Sequence, residues 1–270
     1  MRLTFLGTGP DKAIPRPGHR DAACQDARRG GQSRRSRSAA LIRISGRNIL
    51  IDAGPDITAQ LGREGIGIVD AVFLTHAHAD AAGGLTLLDR YLRKRSDHKR
   101  VPVFTDKLTT GRLAKKFPNL GCLWFCPIEN FLPVTFDNIS FHPFPVAHSI
   151  QPSFPTRGYL LKRDGKRLLA YASDVASLPW TTRRFLRGTP LLILDGAMYL
   201  KTKMATHLSV EQAIATAAAL KTKKLILTQI GHSYPPHSLA EKEIKKYLRG
   251  KKLTFPGSVR LAYDGLEIGA

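Results

Sequence analysis

Two β-sheets packed face to face and covered on their outer sides by helices, an α/β arrangement, is the architecture that this sequence of 270 residues predicts. Two observations lead there. Short apolar runs rich in β-branched residues recur along the chain, with helical patterns between several of them. Their order, strand pairs first and strand–helix alternation afterwards, occurs twice, which a simple parallel sheet would not produce. No short repeat, coiled coil, low-complexity tract or linker divides the chain, so residues 1–270 are expected to form one domain, and a hydrophobic content of 43% is ample for its core.

The first expected strand is Leu3 to Leu6. After it, Asp11 to Ser38 has almost no apolar periodicity and carries Pro15, Pro17, Gly18, Gly30, Gly31 and the arginines Arg28, Arg29, Arg34, Arg35 and Arg37. A stretch this long inside a domain is usually functional or disordered. Ala40 to Ile44 and Asn48 to Ile51 read as strands, Pro55 to Glu64 as a helix, and Ala71 to Leu74 as a strand that leads to a helix over Gly84 to Arg93. Val101 to Phe104 is the last strand of this half. The second half holds strands at Leu168 to Tyr171, Leu191 to Leu194 and Leu225 to Thr228, with helices at Thr181 to Leu186 and Ser209 to Leu220. The last is the clearest: Ser209 can cap its first turn, with Glu211 and Gln212 following, and Ala213, Ile214, Ala217 and Leu220 make one apolar face.

Lysine and arginine outnumber aspartate and glutamate 42 to 21, a formal charge of +21. Such a surface attracts phosphate esters, nucleic acid or acidic partners and says nothing about fold. The competing explanation is a set of solvated basic faces, since the positive residues are spread along the whole chain. No run approaches the roughly twenty consecutive apolar residues that cross a bilayer, and Met1 to Gly7 lacks the long apolar stretch of an export signal, so no membrane partner and a cytoplasmic location are expected. Three cysteines cannot make a disulfide framework. Of these, Cys122 and Cys126 sit among apolar residues and read as buried packing. His98, His142 and His237 have no partner that the sequence names.

The chemistry-bearing pattern is Thr75-His76-Ala77-His78-Ala79-Asp80-Ala81-Ala82-Gly83-Gly84, directly after a strand. In an extended segment or tight loop, side chains at i, i+2 and i+4 point to one side, so His76, His78 and Asp80 can converge. Neutral imidazole and carboxylate are ligands that zinc, iron and manganese accept. Asp52, His148, Asp174 and His232 stand at the ends of further expected strands or in the loops after them, where sites are built on layered α/β folds.

A series of short motifs accompanies them in order: Gly7-Thr8-Gly9, Arg37-Ser38-Ala39-Ala40, Ile51-Asp52-Ala53-Gly54-Pro55-Asp56, His207-Leu208-Ser209 and Asp264-Gly265-Leu266-Glu267-Ile268-Gly269. Together these features resemble the metallo-β-lactamase superfamily of metallohydrolases over the whole chain, and within it the PhnP-like, phosphoribosyl cyclic phosphodiesterase branch. The resemblance implies an αββα sandwich with a metal centre at one edge between the sheets. It implies that His76, His78 and His148 bind a first metal, that Asp174 bridges to a second, and that Asp80 is a ligand of the second. Asp52 would orient a histidine, and His207 would be a proton donor or phosphate contact. One or two divalent transition metals are implied, zinc foremost, with manganese and iron as alternatives.

Two departures stand out. The family's His-x-His-x-Asp-His is here followed by Ala81 in place of the last histidine, and its Leu-Thr-His-Ile-x-His is Leu227-Thr228-Gln229-Ile230-Gly231-His232. Both missing imidazoles belong to the second metal in the family, which points to conversion from two metals to one. The branch also holds a structural zinc on Gly-Cys-x-Cys-x-x-Cys and the final histidine. Here the same place reads Gly18-His19-Arg20-Asp21-Ala22-Ala23-Cys24, with His232 present, so His19, Asp21, Cys24 and His232 could form a separate zinc site of mixed ligands.

The function these features imply is hydrolysis of a phosphate ester or cyclic phosphodiester by a metal-activated water, with Asp80 and His207 as its acid–base groups and a small phosphorylated molecule as substrate. Two other readings stand beside it. One is a nuclease similar to tRNase Z, suggested by the charge, although Asp195 to Thr206 is too short for the projecting arm that many such enzymes use. The other is a non-catalytic metal- or phosphate-binding protein, suggested by Ala81 and Gln229. Some relatives form homodimers; for this chain the sequence leaves both a homodimer and a monomer open.

Overall fold

The computed structural model describes residues 1–93, 99–148, 154–250, 255 and 257–269. His98 lies outside them. The first sheet takes β1 (Arg2–Gly7), β2 (Ala39–Ile44), β3 (Arg47–Ile51), β4 (Ala71–Phe73), β5 (Val101–Thr105) and β6 (Leu123–Pro127). The second takes β7 (Val134–Phe136), β8 (Ile139–Val146), β9 (Thr156–Arg163), β10 (Lys166–Ala172), β11 (Leu191–Asp195), β12 (Lys224–Thr228) and β13 (Ser258–Leu261). A last strand, β14 (Glu267–Gly269), returns to the first sheet beside β1.

Each sheet is built the same way. Its early strands are antiparallel, β1 to β3 in one and β7 to β10 in the other, and its later strands run parallel. This is the twice-repeated order read from the sequence. The hairpins β2–β3 and β9–β10 turn on Ser45-Gly46 and Asp164-Gly165, all four residues at positive φ, the backbone that matches the twist of paired strands.

Helices α1 (Ala22–Arg28), α2 (Ile57–Arg63), α3 (Ala79–Ala82), α4 (Leu85–Leu92), α5 (Lys107–Lys116), α6 (Trp180–Leu186), α7 (Val210–Ala219) and α8 (His237–Gly250) complete the description. Period-two alternation along the strands makes the layers. Ile42, Ile49 and Ile51 face inward with Phe73, meeting Phe141, Tyr159, Leu169 and Tyr171 of the other sheet. Their neighbours Leu41 and Leu50 face outward, under Ile57 and Leu61 of α2 and Leu85 and Leu88 of α4. On the far side Leu160, Leu192 and Leu225 pack under α6, α7 and α8. The result is the αββα sandwich.

All eight expected strands and all four expected helices are present. Strands β6 to β9, β13 and β14 are additional to the expected ones, and β8 shows why. It carries Pro143 and Pro145, which argue against an interior strand. The register resolves the conflict: β7 pairs only with Ile139 to Phe141, so both prolines lie beyond its end, where no partner on that side needs an N–H.

The segment Asp11 to Ser38 is held by polar contacts rather than by an apolar face. Arg35 is buried and donates to Thr8 Oγ1 at 2.6 Å and the Ala262 carbonyl at 2.5 Å, with His237 Nδ1 at 3.0 Å. Arg37 pairs with Asp56 at 2.9 Å. Cys122 and Cys126 are half-buried rather than buried. Among the described residues no helix is long and apolar enough to cross a membrane.

Candidate metal centre

The chemistry gathers where strands end. Asp52 follows β3, Thr75 and His76 follow β4, His148 follows β8, Asp174 follows β10, Asp195 ends β11 and Gln229 follows β12. Asp52 and Gln229 both stand at positive φ, 65° and 61°, a backbone state that non-glycine residues adopt at a cost and that clusters at functional sites. His78 is the extended N-cap of α3, and Asp80 lies in that helix, so the motif is a tight loop and not a continuing strand. Glycine makes the loop fit: a Cβ on Gly54 would collide with the Asp80 carbonyl, and one on Gly84 with the Gly54 carbonyl.

The structure brings His76, His78 and His148 together, with one ligand atom from each within 4.8 Å of the others. His76, Asp80 and Asp174 form a second such group, and His148, Asp174 and His207 a third. Hydrogen bonds decide which nitrogen faces inward. Thr75 Oγ1 donates to Asp52 and stands 2.8 Å from His76 Nδ1. His148 Nδ1 donates to the Thr206 carbonyl at 2.8 Å, and His207 Nδ1 to Asp195 Oδ2 at 2.6 Å. In each ring the remaining Nε2 is left for the site. The ring of His78 lies against Phe154, centroids 5.0 Å apart.

The electrostatics suit a cation. Burial pushes His76 down to about 3 and lowers His78, with His148 adding to the effect, so both rings stay neutral and able to ligate. Burial works against ionisation of Asp174, but His76, His148 and His207 outweigh it and hold the carboxyl low. Asp80 is pushed up to about 7 by burial and by Asp174. Burial opposes charge on His207 too, yet its hydrogen bond to Asp195 raises it to about 9.

One observation tests whether a metal fits. His76 Nε2 is buried and has no hydrogen-bond partner, although such an atom ordinarily finds one. A divalent cation would satisfy it, and three imidazoles with one carboxylate are a suitable donor set. The neighbouring position does not fit as well. Ala81 is buried and offers no ligand. Gln229 carries an amide oxygen, at best a weak ligand; its Nε2 donates to Asp174 Oδ1 at 2.5 Å, and its Oε1 is buried without a partner. The carboxylate can only accept, so the NH₂ must face it. The remaining Asp174 oxygen accepts from Ser173 at 2.6 Å.

The other expected cluster is only partly assembled. His19, Asp21 and His232 have ligand atoms within 4.8 Å of one another, and Cys24 is not in that group. Asp21 Oδ1 caps α1 by accepting from Cys24 N at 3.0 Å, while Oδ2 lies 3.0 Å from His232 Nδ1. The Cys24 thiol turns into a small cluster with Ile14 and Ala27, accepts from Arg16 N at 3.3 Å and is raised by burial. Two roles escaped the sequence reading. Asp195 ends a strand, just as Asp52 and Asp174 nearly do, and the rule that found those two could have found it. For Thr75 no signal existed beyond its place before His76.

Residues 47–230 match the beta-lactamase superfamily domain. The chain belongs to the metallo-β-lactamase superfamily. It is PhnP-like: its structure matches that of a diphosphatase from the PhnP family with a TM-score of 0.84 and 27% identity, covering 100% of this chain and 97% of that one. An octanoyltransferase of Porphyromonas gingivalis is 26% identical over 272 residues, 99% of this chain and 51% of that protein. A ribonuclease Z of Metallosphaera sedula is 26% identical over 201 residues, 68% of this chain and 61% of that protein. The chain thus spans about half the length of the first relative and three-fifths of the second.

Proposed function

We propose that the protein hydrolyses a phosphate ester or cyclic phosphodiester with the help of one divalent cation, zinc foremost, held by His76, His78, His148 and Asp174. The observation that carries this reading is the buried, unpartnered His76 Nε2, directed with two further imidazoles and a carboxylate into one space. When bound there, such a cation lowers the pKa of a water and polarises a phosphoryl oxygen. His207, kept protonated by Asp195, gives a proton from Nε2 to the leaving oxygen. Asp80 accepts the proton of the attacking water. Thr75 and Asp52 do neither; they fix the His76 ring. The cleft that holds these groups has a volume of about 770 Å³ and is lined also by Arg37, Phe154 and Gln229, room for a small phosphorylated molecule. The PhnP-family diphosphatase, aligned over the whole chain, supports chemistry at phosphorus.

One observation favours a second reading. The Gln229 amide on Asp174 withdraws an oxygen that a second cation would share, which suits a protein that binds a metal or a phosphate without turning it over. Purified protein with one equivalent of zinc, manganese or iron, offered cyclic phosphates and bis(4-nitrophenyl) phosphate, separates the two. Hydrolysis is expected, falling to background in His76→Ala. If the loaded protein and the variant behave alike on every ester while one tight metal is present, the non-catalytic reading replaces the hydrolase.

A further inference from the structure

Beside the metal cleft lies a second cavity of about 630 Å³ between α6 and α7. Its position ties it to the site already described. Leu208 on its floor follows His207, and Ser177 on its wall is bridged to Ala147, the residue before His148. The floor is apolar, ending at Leu220. The rim is not: Arg183, Arg184 and Arg187 line it together with Trp180.

Three features of that rim need a common explanation. Trp180 is 70% exposed, more than any other large apolar side chain among the described residues, although leaving an indole in water forfeits the free energy of burying it. The three arginines sit within five consecutive residues, no acidic residue lines the cavity, and none of the three is in an ion pair among the described residues. Like charges this close repel, and no carboxylate among the residues that line the cavity offsets them. Finally, the group is partly pre-set. Arg183 Nε donates to the Leu178 carbonyl at 2.9 Å, and the Arg184 guanidinium lies 5.6 Å from the Trp180 ring centroid.

A flat, open aromatic ring among uncompensated guanidinium groups is complementary to one chemical class in particular. A nucleobase stacks on an indole whatever its sequence, and phosphates accept from arginine. We propose that this groove binds a nucleotide, its base on Trp180 and its phosphates on Arg183, Arg184 and Arg187. The proposal deepens and rests on the phosphate-ester reading, since a nucleotide is itself a phosphate ester. A sugar phosphate without a base would use only half of the groove. An acyl chain would meet the floor and leave the arginines unmatched.

Binding can be read apart from turnover. The chain has two tryptophans, so Trp124→Phe leaves Trp180 as the sole indole, and its fluorescence is titrated with adenosine 5′-monophosphate, a short oligoadenylate and ribose 5-phosphate. Saturable quenching is expected from the first two and not from the third. Because Arg184 and Arg187 are exposed, the double variant Arg184→Ala/Arg187→Ala keeps the fold and should weaken nucleotide binding by about tenfold or more. An oligoadenylate that binds more tightly than the monophosphate identifies a strand end as the ligand, and equal binding identifies a free nucleotide. Adding His76→Ala should leave the quenching unchanged, so a failure of the hydrolase reading would not disturb this result. No saturable quenching by either nucleotide, equal quenching by ribose 5-phosphate, or a double variant that binds as well as its parent would overturn the proposal.

Discussion

Among the described residues, metal-capable side chains gather in two places, and the two differ less in composition than in what their hydrogen bonds leave over. At the sheet edge, Thr75 and the Thr206 carbonyl each take the Nδ1 of a histidine, and the opposite nitrogens converge. The His76 nitrogen is left buried with no partner. Around α1, both oxygens of Asp21 already have donors, from Cys24 N and His232 Nδ1, and the thiol faces away. The first cluster leaves a buried imidazole nitrogen without a partner, and among the described residues the second leaves no buried nitrogen or oxygen in that state. Residue type therefore marks where a site could be, and the surrounding hydrogen bonds decide whether it is poised.

The largest test of this contrast lies at His207. Replacing it by Gln should lower kcat by roughly 10²- to 10⁴-fold, the usual contribution of a general acid, while metal content by elemental analysis stays at the wild-type value. Loss of metal in the variant would make His207 a ligand instead. Since Asp195 raises His207 to about 9, its acid form persists through neutral pH, and the rate should fall as the pH rises past about 9. Asp195→Asn should move that limb to lower pH.

A smaller effect is expected from Thr75→Val, which keeps the shape and removes the hydroxyl between Asp52 and His76. Metal affinity should weaken by about 10- to 100-fold, as measured by competition with a chelating dye, with the metal stoichiometry unchanged. An unaltered affinity would mean that the inward direction of His76 Nε2 is set by packing alone.

How much of this was legible beforehand depends on what kind of information each feature needs. Ile49 to Ile51 and Leu191 to Leu194 are buried on both faces, so they read as unbroken apolar runs. The residues of β8 and β9 do not, because Pro143, Pro145, Arg157 and Gly158 interrupt them for reasons of register and packing that only the folded sheet reveals. For the same reason the spacing of His76, His78 and Asp80 announced a cluster on local grounds, while Asp195 acts twelve residues from His207 and could not be paired with it. The direction of the Gln229 amide was likewise invisible, since it depends on a carboxylate that arrives from another strand. In the arginine-rich segment the sequence showed candidate ligands at His19, Asp21 and Cys24 but no apolar pattern to hold it, and the anchoring comes from Arg35 reaching Thr8, Ala262 and His237.

That anchor makes a prediction about the region away from the metal edge. Burial and the Arg35 charge lower His237 to about 4, against smaller opposing effects of Glu241 and Asp26 and a further lowering by Arg260. The unfolded chain takes up the proton near 6.5, the folded protein only near 4, so between these values the unfolded state binds more protons. Stability is then full above about 6.5 and declines as the pH falls toward 4. Thermal unfolding should show this loss, and His237→Gln should flatten it relative to the parent.

The smallest expected effect belongs to Asp21. Its Oδ1 caps α1 at Cys24 N, and losing an N-cap costs about 1 kcal/mol, so Asp21→Ala should lower Tm by a few degrees. The informative comparison is made in a His76→Ala background, where the sheet-edge cluster can no longer dominate metal binding. If the hydrogen bonds alone hold this second cluster, a strong chelator leaves Tm unchanged with and without Asp21. If instead the chelator lowers Tm only while Asp21 is present, His19, Asp21 and His232 hold a metal, and the contrast between the two clusters reduces to one of affinity.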